Sequence, residues 1–128
     1  MSINPEQIAQ WLEDFAQRHD LAQKATEGCW KVVHNLLVEG DVDAKLLHAW
    51  NVEKLEAHLD KHSFVFTHIW LNYAYVDTQI GLYVKDESGS FLDDLIPIGR
   101  FNLRTRLNGE YDDDSFILDQ RLSPNDEE

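Results

Sequence analysis

The residues of this chain with the types that chemistry requires are one cysteine, six histidines, two runs of aspartate and a group of three arginines. A catalytic cysteine needs an accessible, electropositive setting that stabilises its thiolate. Cys29 lies between helical apolar positions, next to Trp30 and near Val32, and has no Cys-x-x-Cys partner. It reads as a buried structural thiol. The histidines are His19, His34, His48, His58, His62 and His68. None forms His-Glu-x-x-His, and no Cys/His grouping has the spacing of a structural zinc site. His58 and His62 would share a helix face if a helix persisted through Lys61, where they suit the negative end of its dipole. His68, beside Trp70 and Asn72, is placed to line a pocket.

Asp93-Asp94 and Asp112-Asp113-Asp114 lack the alternating ligand spacing of a calcium loop. Two carboxylates working as general acid and base would need a separation and burial that linear order does not supply. No catalytic residue, metal site or cofactor is assigned. Arg100, Arg104 and Arg106 concentrate positive charge in a chain otherwise short of it. Arg104 and Arg106 share one face of an expected strand. They would either hold a small anion or bridge to Asp112-Asp113-Asp114 across a hairpin, and the bridge is preferred because the acidic segment is one turn away.

From Glu110 onward the chain carries eight acidic residues and one basic residue, with Tyr111 and Phe116 among them. Buried aromatics usually carry interface affinity, while charge steers the encounter. The leading contact residues are therefore Tyr111, Asp112, Asp113, Asp114 and Phe116, with Asp93 and Asp94 in support. The alternative is a pocket between helices and sheet, lined by His68, Trp70 and Asn72, with Arg104 supplying anion complementarity.

Composition narrows the classes. With 128 residues, 43% of them hydrophobic, the chain has the size of one domain. We expect it to span 1–122, with 123–128 as a frayed acidic tail. Twenty-four acidic against eleven basic residues give a net charge of −13. That field repels nucleic acid and anionic lipid and attracts a basic protein, although acidity also serves solubility alone. A single cysteine closes no internal disulfide, so the fold works reduced, as in the cytoplasm. The sequence shows no signal-peptide pattern and no apolar run of membrane-spanning length.

The elements that position these residues follow from apolar spacing. Ile8, Trp11, Leu12 and Phe15 predict a helix over 5–19, capped by Asn4 with Pro5 in the first turn. A second helix over 21–38 is weakened at Gly28 and punctuated by Glu39-Gly40-Asp41. Apolar residues over 43–59 suggest one further helix or two. Phe64 to Val76 reads as a strand with apolar residues on both faces, Asp77-Thr78-Gln79 as a turn, and Ile80 to Lys85 as a strand. Asp86 to Ser90 is a loop, and Phe91 to Ile98 fits a short helical piece limited by Pro97. Phe101 to Leu107 alternates cleanly, Asn108-Gly109 turns the chain, and Tyr111 to Leu118 supplies a last strand.

The expected fold is α+β, with N-terminal helices packed on one face of a C-terminal antiparallel sheet of about four strands. The functional expectation is a non-enzymatic acidic protein-binding module, such as an inhibitor, immunity or antitoxin-like protein occluding a basic surface. The alternatives are a small-ligand domain or enzyme using the helix–sheet pocket, and homodimerisation through an exposed sheet edge.

Overall fold

The computed structural model describes residues 4–40, 52–66, 72–85 and 95–118. Asn4 opens α1 (Pro5–Arg18). Its side chain accepts from the Glu6 N–H at 2.8 Å, the Gln7 side chain accepts from the Asn4 N–H at 3.3 Å, and Pro5 takes the position where a missing N–H costs nothing. His19 and Asp20 turn the chain into α2 (Leu21–Glu39), with Asp20 at φ 51, a left-handed conformation that aspartate tolerates better than most residues. Gly40, at φ 70, closes α2 by donating its N–H to the Leu36 carbonyl at 3.1 Å.

A single 3-10 turn (Val52–Lys54) leads into β1 (Leu55–Val65), followed by β2 (Tyr75–Lys85), β3 (Leu95–Arg106) and β4 (Tyr111–Leu118). The strands form one antiparallel sheet in the order β1-β2-β3-β4. Both helices cover the same face, and the expected α+β arrangement is the one observed. Alternation along β2 shows how the face is chosen. Val76, Thr78, Ile80, Leu82 and Val84 are buried toward the helices, while Asp77, Gln79 and Tyr83 alternate with them on the open face. Ala25, Cys29 and Val33 of α2 pack on Ile80, Leu82, Ile98, Phe101 and Leu103, and Phe15, Ala16 and Leu21 pack on Val76.

Each strand pair contains one register shift. Asp60 is the extra residue between β1 and β2, Ile98 between β2 and β3, and Asp112 between β3 and β4. A bulge reverses the facing of the later residues in its strand. His58 therefore lies on the open face, within 2.9 Å of Glu56, while His62 turns under the helices to Thr78 Oγ1 at 2.9 Å.

Several elements differ from the sequence reading. Leu55 to Leu59, expected to be helical, begins β1, and His58 and His62 do not meet. Leu55 and Leu59, four apart, suit a helical stripe as well as a strand, but Ala57 suits only the strand's alternation, and pairing with Val84, Leu82 and Ile80 decides for the strand. The single strand expected over Phe64 to Val76 is instead the end of β1 and the start of β2. Asp77-Thr78-Gln79 lies within β2: Asp77 and Gln79 are on the open face, and Thr78, buried toward the helices, meets His62 at 2.9 Å. β3 starts at Leu95, where a helical piece was expected. Pro97 is accommodated beside the Ile98 bulge and beyond the end of β4's pairing, where a missing N–H is tolerated. Leu107 leaves the strand for the turn and is 42% exposed, whereas Leu103 is buried at 7%. No helix among the described residues is long and apolar enough to cross a membrane.

Candidate functional site

The β3–β4 hairpin gathers most of the candidate residues. Its turn is the expected Asn108-Gly109. Gly109 adopts φ 91 and donates its N–H to the Arg106 carbonyl at 2.8 Å, while the Asn108 side chain accepts from the Glu110 N–H at 2.9 Å. A side chain on Gly109 would collide with the His19 ring, which itself packs on Phe15 at 4.6 Å between centroids. The hairpin tip is thereby seated on the end of α1.

Successive residues of a regular strand face opposite sides, so Arg104 could meet only one of two adjacent aspartates. The bulge at Asp112 removes that restriction. Arg104 donates through Nε to Asp112 at 2.6 Å and through a terminal nitrogen to Asp113 at 3.1 Å. Arg106 Nε reaches the other Asp112 oxygen at 3.3 Å, and the Tyr73 hydroxyl donates to Asp112 at 2.6 Å. The Tyr73 hydroxyl, then the two guanidinium groups, hold the Asp112 carboxyl below the usual carboxylate range. Arg106 also lies over the Tyr73 ring at 4.5 Å, and Arg104 over Tyr75 at 5.4 Å. The expected intramolecular bridge is present.

This network sits on the open face. Beside it Asn102 donates to Asp77 at 2.9 Å and Gln79 at 3.3 Å, and burial raises the Asp77 pKa against the opposing effect of that hydrogen bond. The recess among Tyr75, Asp77, Asn102, Arg104 and Asp113 has a volume of about 200 Å³, below the usual size of a small-molecule site. Arg104 spends its donors on two aspartates there. Of the residues expected to line the alternative pocket, Arg104 lies on the face away from the helices and Asn72 is exposed. His68 and Trp70 lie outside the described residues, as do Asp93 and Asp94.

The acidic and aromatic side chains of β4 divide into three groups. Asp112 is 10% exposed and fully engaged. Phe116 is half-buried and packs against the core, as does Leu118. Tyr111 and Asp113 are each 63% exposed, Asp113 on the open face beside Arg104 and Tyr111 on the helix side, where it donates its hydroxyl to Asp114 at 2.8 Å. That hydrogen bond raises the Tyr111 pKa.

A second concavity opens on the helix side of the same strand. α2 packs over β1, β2 and β3, leaving a groove of about 380 Å³ toward β4. Leu21, Phe101 and Leu103 form its floor, Lys24, Gly28 and Lys31 its α2 wall, and Tyr111 and Asp114 its β4 wall. The sequence reading did not single out these lysines, although their spacing around Gly28 places all three residues on one side of a helix. Tyr73 carried no local signal, because it joins Asp112 from 39 residues away. Among the described residues no group of three or more His, Cys, Asp or Glu side chains could hold a metal ion. Comparison with known proteins returns no matching family model, no matching curated protein and no matching solved structure.

Proposed function

We propose that this chain is a non-enzymatic protein-binding module of the inhibitor or immunity type, presenting β4 to a basic partner surface in the cytoplasm. The observation that carries the reading is the exposed acidic strand β4, with Tyr111 and Asp114 on its helix side and Asp113 on its open face, held in place by the Arg104–Asp112–Tyr73 network. A contact surface held in one geometry loses less entropy on binding. The net charge of −13 supplies attraction for a basic partner at a distance. A second copy would place the same aspartates against one another, which favours a different protein over self-association. Tyr111 takes the anchoring role, with Phe116 supporting the strand from the core. The free thiol of Cys29 suits a reducing compartment.

Affinity capture from native lysate, followed by kinetics with the recovered partner at two salt concentrations, tests this reading. Neutralising Asp113 and Asp114 together as asparagines should slow association, most strongly at low salt. Tyr111→Ala should act on dissociation. If both variants keep wild-type rates and remain folded, β4 is not the contact surface.

A further inference from the structure

We propose that the groove between α2 and β4 binds a small amphipathic carboxylate, its apolar body on Phe101, Leu103 and Tyr111 and its anionic head between Lys24 and Lys31. The groove shares Tyr111 and Asp114 with the proposed protein-binding surface, and the inference is told apart from it by the α2 wall, where Lys24 and Lys31 lie.

The first argument is shape. The volume of about 380 Å³ lies at the small end of the range that ligand sites occupy, so the ligand is small. Gly28, in the middle of the α2 wall, lets the Phe101 ring of the floor come up against the helix. A Cβ there would stand 2.8 Å from Phe101 Cζ, so helix and aromatic ring already meet as closely as glycine allows. The floor is apolar but almost covered, with Phe101 2% and Leu103 7% exposed, so Tyr111, 63% exposed on the far side, supplies most of the apolar surface.

The second argument is charge. The chain has only eleven lysines and arginines, and two of them line this one groove. Arg104 and Arg106 are matched to aspartates. Among the described residues neither Lys24 nor Lys31 has a carboxylate within ion-pair distance. The one acid on the groove wall, Asp114, already accepts from the Tyr111 hydroxyl. Seven residues apart, the two lysines lie about 10 Å from one another along the helix, and their flexible side chains can converge on an anion above Gly28. A cation would meet two ammonium groups, and a neutral molecule would leave them unused.

Octanoate, octylammonium and octanol share a chain and differ in head-group charge, so titrating each into the protein at physiological salt separates the head group from the chain. Amide chemical shifts locate the site and calorimetry measures affinity. Octanoate should bind saturably with shifts confined to Lys24–Lys31, Phe101–Thr105 and Tyr111–Asp114, and octanol and octylammonium should bind more weakly. Lys24→Gln and Lys31→Gln should each weaken octanoate about tenfold, as expected for loss of a hydrogen bond to a charged group. Lys61→Gln, on β1, should leave it unchanged. Absence of saturable octanoate binding, equal binding of octylammonium, shifts outside the groove, or wild-type affinity in the double lysine variant would each overturn the assignment. The wild-type comparison of the three head groups stands even if a lysine variant folds poorly.

Discussion

Gly28 of α2 and Phe101 of β3 occupy one another's space: the ring lies where any side chain at position 28 would have to go. Glycine costs about 1 kcal/mol relative to alanine in a helix interior, and here that cost allows the helix to settle on a fully buried ring. Gly28→Ala should therefore destabilise the protein by about 1–2 kcal/mol, overpacking outweighing the gain in helix propensity. Combining it with Phe101→Leu should recover part of the loss in a denaturant melt. A Gly28→Ala variant more stable than wild type would contradict this packing.

Leu103 and Leu107 separate the strand from its turn. Leu103→Ala should cost about 2–5 kcal/mol, because the side chain is buried under α2. Leu107→Ala should cost under about 0.5 kcal/mol, as is usual for an exposed position. Reversible urea unfolding of the two variants gives the comparison, and equal costs would contradict this boundary between strand and turn.

Cys29 should be chemically silent in the folded state. It is fully buried, and burial pushes its thiol up to about 11. A thiol reagent at mildly alkaline pH should react only at the rate of unfolding and stoichiometrically in denaturant. Immediate labelling of native protein would show that the core opens at α2.

Asp112 and Asp77 should give opposite responses to acid. The folded pKa of Asp112 is depressed, so its stabilising contribution is complete above the ordinary carboxylate range and is lost as pH falls through the folded value. Asp112→Asn should be less stable than wild type at neutral pH, the difference shrinking in acid. The Asp77 pKa is raised by burial, so its charge costs stability at neutral pH and the cost is relieved as pH falls through the folded value. Asp77→Asn should thus be more stable at neutral pH, with its advantage vanishing in acid. Thermal melts across the acidic range test both signs.

The start of α1 and the end of α2 were legible in the sequence because a side-chain cap and a glycine cap act locally. Asn4, Pro5 and Gly40 mark boundaries that the structure keeps. The β3–β4 hairpin was legible for the same reason, through Asn108-Gly109 and the alternation from Phe101. β2 was legible only in its second half, Ile80 to Lys85, and β1 was not, because Leu55 and Leu59 satisfy two periods and only pairing with β2 chooses between them. At the site, the arginine–aspartate bridge could be anticipated from a short hairpin. Asp112 meeting the same arginine as Asp113 could not, since it depends on an extra residue in the strand. Likewise the groove exists because α2 stops short of β4, a relation between elements that no local pattern encodes.

The bulges in β1 and β4 bear on how the protein behaves when concentrated. These are the two outer strands of the sheet, and in each the extra residue is an aspartate held by a tyrosine hydroxyl: Asp60 by Tyr83, Asp112 by Tyr73. A regular outer strand is a template on which another chain can lay down a strand and start a fibril. Here each template is interrupted by a kink at a tethered aspartate, so neither strand offers a continuous ladder for lateral growth. The sheet is capped against polymerisation by the same irregularity that lets Arg104 hold two neighbouring aspartates.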